Sequence, residues 1–311
     1  MSRRTARLLV GLVMSAGVAL VPTAASAAPL PDVLPLKKGS RPEGVAAGPG
    51  STYFAGAMAN GAIYRGDVRT GSRSLLVAGT DNTAARGMQY DAASGVLWVA
   101  GDVRLEGGGT RSTVTAYDAG TGRLLRRLVI PGQRFLNDLQ VTRDAVYVTD
   151  SIASELVVVT LSGFRLLPLS GDWEQAAGSF GANGIRLLDT GDLVVVNSGN
   201  GGLYRVSPAT GRADRIELTG TALSSGDGLV VQGSTVYVVN GFATDAIAVV
   251  ELGAGARTGA VVGRLRDSDL DRPATAFLSA GALYAVNARF TSVPDPTPTT
   301  PYDLVRVALA P

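Results

Sequence analysis

The sequence contains no histidine and no cysteine among its 311 residues. The absence of histidine argues against serine and cysteine triads, imidazole-based zinc or copper sites and proton shuttles at neutral pH. Redox centres that hold copper, iron or haem are disfavoured for the same reason. Without cysteine no disulfide can form, so stability must come from packing or from a bound ion. The chemistry that remains is that of oxygen ligands and carboxylates.

The first 27 residues resemble a secretory signal peptide. Three arginines precede an apolar run over residues 8–21, and a small-residue cleavage site ends at Ala27. The run is shorter than the roughly 20 residues that a membrane span requires, and Pro22 follows it directly. We therefore predict a secreted protein that is cleaved after Ala27 and has no membrane span.

The remaining chain lacks an excess of either charge. Without the three arginines of the leader, 25 basic residues stand against 26 acidic ones. No basic stripe is available to follow a phosphate backbone, so a nucleic-acid partner is not expected. Residues 28–311 are predicted to form a single domain because one repeat runs through them without a break.

That repeat is a short apolar hairpin. The stretch GANGIRLLDTGDLVVVN (181–197) has counterparts beginning near residues 41, 85, 136, 226 and 273. Equivalent positions are separated by 43, 51, 46, 44 and 47 residues. The fourth copy is predicted to form four short strands, which are GIRLL (184–188), LVVVN (193–197), GLYRV (202–206) and ADRIEL (213–218). A period in the forties built from strands is typical of propeller blades. The fold prediction is an all-β, six-bladed β-propeller.

The sixth copy lacks a fourth strand before the chain stops. Residues 32–38 (DVLPLKK) resemble the outer strands of other copies. We predict that this N-terminal segment supplies the missing strand and closes the last blade.

One position at the start of each hairpin varies between copies. Because first strands line the channel of a propeller, these six residues are expected to form a ring: Glu43, Arg86, Asn137, Asn183, Asp227 and Ala274. The second strand returns to the same end of the channel, so its last residue is also expected at that mouth. These residues are Gly56, Gly101, Asp150, Asn197, Asn240 and Asn287.

Four ring residues carry oxygen ligands. The carboxylates of Glu43 and Asp227 and the amides of Asn137 and Asn183 suit a hard divalent cation, with calcium preferred. The alternative is that Asn-Gly and Asp-Gly are turn signals. Turn chemistry does not explain Glu43, which occupies the same register. We predict a shared metal site.

Several blade openings resemble one family. The motifs are PEGV at Pro42, RFLNDLQV at Arg134, ANGI at Ala182 and GDGL at Gly226. They are similar to the senescence marker protein, gluconolactonase and luciferin-regenerating enzyme family, and more distantly to the paraoxonases, whose histidine dyad this chain cannot have. The resemblance implies a six-bladed propeller with one divalent ion, usually calcium, and lactone hydrolysis. It also implies that Glu43, Asn183 and Asp227 are core ligands, with Asn137 a ligand or substrate contact.

The functional hypothesis is a secreted, metal-dependent hydrolase of lactones or related esters. Asp227 is the preferred base for the attacking water, and Asp138 is either an alternative base or a partner that holds Asn137. Candidate substrate contacts are Arg86, Arg134 and Trp173. For Arg86 the alternative is charge balance with Asp102 or Glu43, and for Trp173 it is packing. The competing hypothesis is a non-catalytic, ion-stabilised propeller that binds a small molecule or a protein.

Overall fold

The computed structural model of the protein describes residues 29–80, 83–242 and 244–309. Within them the chain forms six β-sheets arranged as the blades of a propeller. The predicted all-β, six-bladed fold is therefore confirmed. The predicted signal peptide lies outside the described residues. Among the described residues, no helix has the length and apolar character needed to cross a membrane.

The strands follow one another blade by blade, each blade running from the channel outward. The chain begins with β1 (Val33–Pro35), and blade 1 is β2 (Val45–Ala47), β3 (Thr52–Gly56), β4 (Ile63–Asp67) and β5 (Arg73–Val77). Blade 2 is β6 (Thr83–Asp91), β7 (Val96–Arg104), β8 (Thr110–Asp118) and β9 (Leu124–Ile130). Blade 3 is β10 (Leu136–Val141), β11 (Val146–Asp150), β12 (Glu155–Thr160) and β13 (Gly163–Pro168).

The second half of the chain continues this order with two additional strands. After β14 (Ser170–Gly171), blade 4 is β15 (Ala182–Leu187), β16 (Leu193–Asn197), β17 (Leu203–Val206) and β18 (Arg212–Arg215). After β19 (Glu217–Gly220), blade 5 is β20 (Leu229–Gln232), β21 (Thr235–Val239), β22 (Ile247–Leu252) and β23 (Thr258–Leu265), with a 3₁₀ turn at Ala254–Ala256. Blade 6 is β24 (Pro273–Ser279), β25 (Ala282–Asn287), β26 (Asp303–Val307) and β1.

The hydrophobic core is divided between the blades. Each of the six innermost strands contacts the next around the channel, and β24 contacts β2. Six apolar clusters fill the spaces between neighbouring blades, one for each pair. A blade is therefore buried on both faces only when both of its neighbours are present, which explains why the sequence needs a closed ring.

The ring is closed by the N-terminal strand, as predicted. β1 pairs antiparallel with β26, with Val33 opposite Val305 and Leu34 opposite Leu304. Leu34 joins the apolar cluster between blades 6 and 1. Residues from the two ends of the described chain thus lie side by side in the last blade.

The predicted fourth strand of blade 4 is divided between two blades. The sequence ADRIEL (213–218) was expected to be one outer strand. Instead β18 ends at Arg215, Ile216 is buried, and β19 pairs in parallel with β23 of blade 5. β14 extends the outer strand of blade 3 onto blade 4 in the same way. These continuations join neighbouring blades at their outer edges, which would otherwise present unpaired backbone groups.

The closure can be tested on two neighbouring side chains of β1. The Leu34 side chain is 1% exposed, whereas Val33 is 37% exposed. Leu34→Ala is expected to lower the free energy of unfolding by about 2–5 kcal/mol because it empties a buried site. Val33→Ala, the control, is expected to cost less than about 1 kcal/mol. Urea denaturation measures both, and equal losses would show that β1 does not complete the core.

Candidate functional site

The structure brings the four predicted metal ligands together. Glu43, Asn137, Asn183 and Asp227 line one cavity of about 430 Å³ at one mouth of the channel. Their exposed fractions are only 7%, 7%, 8% and 3%. The same four residues also line a narrow space further along the channel. They therefore form a constriction between the open mouth and the interior.

Bulges in the inner strands place the ring residues. In blade 3, Leu136 pairs with Asp150 and Leu139 pairs with Val148, so two residues face one across the hairpin. The same irregularity occurs at the ring position of blades 2, 4 and 6. A bulge of this kind redirects a side chain, and such bulges are common beside functional sites. The sequence does not predict these bulges, because one extra residue does not change the composition pattern of a short apolar strand.

The glycines that follow ring residues are explained by packing between blades. A Cβ atom on Gly184 would lie 2.4 Å from the backbone oxygen of Asp227, and one on Gly87 would lie 2.2 Å from that of Asn137. Gly44 and Gly228 are equally confined by the next blade. None of these four glycines has a positive φ. The Asn-Gly and Asp-Gly pairs are therefore not turns, and glycine is needed because the inner strands approach closely.

Three ring residues follow a strained position. Arg41, Ser225 and Arg272 have φ angles of 51°, 48° and 49°, each two residues before a ring position. Non-glycine residues in the left-handed region cost on the order of 1 kcal/mol and persist where surrounding structure imposes them. The equivalent strain in blades 1, 5 and 6 indicates that entry into the inner strand follows a shared geometry.

Two serines orient the amides of the site. Asn183 Nδ2 donates to Ser198 Oγ at 3.0 Å, and Ser198 Oγ donates to the carbonyl of Gly226 at 2.6 Å. Asn137 Nδ2 donates to Ser151 Oγ at 3.1 Å, and Ser151 donates to the next blade in turn. Because each hydroxyl proton is committed to a carbonyl, each hydroxyl must accept from the amide nitrogen. The amide oxygen is left for the cavity, and Asn183 Oδ1 is buried without a hydrogen-bond partner.

Both carboxyl groups of the site have raised pKa values. Burial raises the pKa of Glu43 from 4.5 to about 7, an effect that Arg86 opposes and Asp138 reinforces. Burial, followed by the negative charge of Glu43, raises the pKa of Asp227 well above its usual range. Two carboxylates in one buried site repel each other, so a cation between them would favour their ionised forms.

Arg86 occupies its ring position but is fully engaged. Its guanidinium donates to the carbonyl of Leu136 at 2.9 Å and forms an ion pair with Asp102. It also stacks 4.1 Å from the centre of the Phe135 ring. Arg86 is absent from the cavity lining. Arg86 thus forms the charge balance with Asp102 that is the alternative to substrate recognition, and its role toward a substrate stays a prediction.

The alternative base Asp138 and the other predicted substrate contacts, Arg134 and Trp173, also lie away from the cavity lining. Asp138 accepts a hydrogen bond from Arg186 at 2.6 Å and faces the narrow space beyond the constriction. Arg134 pairs with Asp150 at 3.0 Å and with Glu155. Trp173 packs against Tyr204 with ring centres 4.8 Å apart. All three side chains contact other parts of the protein, and none of them lines the cavity.

The residues that end the second strands hold loops. Asn197 donates to the carbonyl of Glu174, Asn240 to that of Ser224 and Asn287 to that of Asp269. Asp150 accepts from the backbone N–H of Phe135 at 3.1 Å. They reach the predicted end of the channel, but they fix the loops around the cavity and do not line it.

An aromatic wall surrounds the cavity and was not predicted. Its apolar members are Met58, Phe135, Phe180, Phe242 and Phe290. The sequence has only seven phenylalanines, so more than half of them lie at this one mouth. They follow or precede the hairpins at irregular spacings, which is why the repeat did not reveal them. The cavity volume falls within the range of about 300–1,000 Å³ that is typical of small-molecule sites.

The oxygen set is unlike a cluster of acidic or imidazole ligands. Within residues 29–80, 83–242 and 244–309, no group of three or more His, Cys, Asp or Glu residues is arranged to hold a metal. The site instead combines two carboxylates with two amide oxygens. Such mixed oxygen sets are used by calcium.

Solved structures share the fold at low sequence identity. Virginiamycin B lyase from Staphylococcus aureus is 11% identical over 89% of this chain and 99% of its own, with a TM-score of 0.57. The PQQ-bound aldose sugar dehydrogenase from Streptomyces coelicolor is 15% identical over 90% and 99%, with a TM-score of 0.59. A chain of a nidogen/laminin complex is 14% identical over 76% and 84%, with a TM-score of 0.56. No family model and no curated protein sequence matches the chain.

The close approach of the inner strands predicts a specific sensitivity. Gly184→Ala is expected to destabilise the fold by about 1–3 kcal/mol because its methyl group overlaps the Asp227 carbonyl. Gly263→Ala is the control, since nothing lies within 4 Å of its Cβ position. Thermal denaturation compares the two variants. An unchanged melting temperature for Gly184→Ala would contradict the packing explanation.

The pKa of Glu43 predicts how stability depends on pH in chelator. The folded state binds the proton of the Glu43 carboxyl group more tightly than the unfolded state does. The contribution of this proton to the free energy of unfolding is therefore fully present below pH 4.5 and is lost as the pH rises through about 7. The loss is on the order of 3 kcal/mol. Urea titrations between pH 4.5 and about 7 should show that the free energy of unfolding falls less for Glu43→Gln than for wild type. The exposed control Glu106→Gln should leave the decline unchanged, and a full decline in Glu43→Gln would contradict the assignment.

Proposed function

We propose that this propeller is a divalent-cation-dependent hydrolase of lactones or related esters, with calcium as the preferred ion. The observation that carries the proposal is the floor of the cavity, where two buried carboxylates meet two oriented amides. Propellers of this architecture include a lyase and a sugar dehydrogenase, so enzymatic function is compatible with the fold.

The residues present fit a hard cation. Glu43 and Asp227 supply two negative charges that balance a divalent ion, and Asn137 and Asn183 supply neutral oxygens. Asn183 Oδ1 is buried without a partner, a state that costs free energy unless a ligand satisfies the atom. These four residues would hold the ion. When bound, a cation of this kind polarises a carbonyl and stabilises the developing oxyanion.

Asp227 is the residue best placed to accept a proton from the attacking water. Its carboxylate lines the cavity, whereas Asp138 is paired with Arg186 beyond the constriction. The oxygen of a water molecule adds to the substrate carbonyl carbon while the Asp227 carboxylate accepts the water proton. The bond from that carbon to the leaving oxygen then breaks, and the leaving oxygen takes the proton. The products are a carboxylic acid and an alcohol, joined in one molecule when the substrate is a lactone.

The chemistry must differ from that of the lyase neighbour. A form of that lyase with one histidine replaced by alanine is described as catalytically inactive. The present chain has no histidine, so it cannot use an equivalent group. The lactone class is supported by the family resemblance of the blade openings. Export is supported by the N-terminal segment.

Calcium binding and turnover test the proposal together. At 100 times its dissociation constant, calcium is expected to stabilise the wild-type protein by about 2.7 kcal/mol relative to chelator. Asp227→Asn should lose most of this stabilisation and all hydrolysis of a lactone and ester panel. Asp189→Asn, on the exposed turn at the other end of the Asn183 hairpin, should retain both.

The two readouts separate the alternatives. Absence of any calcium-dependent shift would remove the metal site. A calcium shift without turnover across the panel would instead favour the non-catalytic, ion-stabilised binding propeller.

A further inference from the structure

The aromatic wall has a definite arrangement above the oxygen ligands. Phe135 and Phe180 pack edge to face with ring centres 5.1 Å apart. Phe242 and Phe290 are stacked at 5.5 Å with an angle of 16° between their rings. The first pair lies where the chain enters blades 3 and 4, and the second pair lies in loops of blades 5 and 6. Met58 of blade 1 adds a further apolar side chain. The entrance to the oxygen site is therefore apolar on several sides.

Part of this wall is exposed to water. The side chains of Phe180 and Phe242 are 51% and 47% exposed, although most large apolar side chains of the protein are buried in the blades. Exposed aromatic surface inside a concave site is a common feature of ligand pockets. A ligand that covers these rings would gain the free energy of removing their surface from water.

The wall offers little to a charged or polyhydroxylated ligand. Among the described residues, no arginine or lysine lines the cavity. The nearby guanidinium groups of Arg86 and Arg134 are paired with carboxylates. Ser198 already donates to a backbone carbonyl and accepts from Asn183. A sugar lactone carries several hydroxyl groups, and the other lining hydroxyl, that of Ser225, is too little to partner them all, so removing them from water here is unfavourable.

We infer that the site accepts uncharged lactones or esters with an aryl or alkyl substituent, in preference to sugar lactones. The substituent lies against the Phe180 and Phe242 side of the wall while the carbonyl points toward the constriction. The inference rests on the proposed function for the bond that reacts. The apolar character of the ligand rests on the wall alone.

A matched series of ligands tests the inference. γ-Lactones with alkyl substituents of increasing length are compared with gluconolactone as substrates, and the corresponding γ-lactams serve as ligands that resist hydrolysis. We expect kcat/KM and lactam affinity to rise about threefold per methylene until the wall is covered. Gluconolactone should be the poorest substrate.

Substitutions in the wall give the second arm. Phe180→Ala and Phe242→Ala should each weaken binding of the longest lactam about tenfold and flatten the dependence on chain length. Phe164→Ala is the control because Phe164 is 37% exposed on an outer strand and lies outside the cavity. Circular dichroism melts with and without calcium check that each variant is folded.

The outcomes test the apolar ligand preference separately from the proposed hydrolase function. Preference for gluconolactone, or no effect of the wall substitutions on lactam affinity, would overturn the inference while leaving hydrolysis intact. Lactam binding that depends on chain length and on Phe242, without turnover of any lactone, would support the apolar site and overturn the hydrolase. Absence of both lactam binding and chain-length dependence would overturn the inference.

Discussion

The candidate site depends on one constraint, which is that the fold holds two carboxyl groups together in one buried constriction. Glu43 and Asp227 belong to blades 1 and 5, yet both are nearly inaccessible to water and line the same cavity. Burial is the main cause that raises both pKa values, and the charge of Glu43 raises that of Asp227 further. Under the proposed function, a divalent ion would relieve the repulsion between the ionised carboxylates, and the surrounding amides would complete its coordination. Without a cation, ionising both carboxyl groups in this buried site is unfavourable.

The fold can keep these two carboxyl groups buried together because its blades support one another around a closed ring. Each apolar cluster lies between two blades, and the N-terminal strand completes the last of them. Glycine allows inner strands to approach within backbone contact, and bulges turn the ring residues into the channel. The serines of one blade bond to the backbone of the next while they orient an amide. Stability and site geometry thus depend on the same contacts between blades.

Much of this arrangement could be predicted from the sequence. The repeat predicted six blades and the closing strand, and the shared register of Glu43 with asparagine and aspartate predicted which side chains meet. The register could not show where other side chains point. Asn197 lies at the predicted end of its strand but bonds to a loop, and Arg134 is held by two carboxylates. The aromatic wall depends on loops of unequal length, whose geometry a repeat does not encode.

The most direct measurement is an anomalous diffraction map from crystals soaked with terbium in place of calcium. The proposed metal site predicts one strong peak on the channel axis, about 2.3–2.6 Å from side-chain oxygens of Glu43, Asn137, Asn183 and Asp227. Calcium in excess should abolish that peak. A map without a peak at the constriction would contradict the proposed metal site.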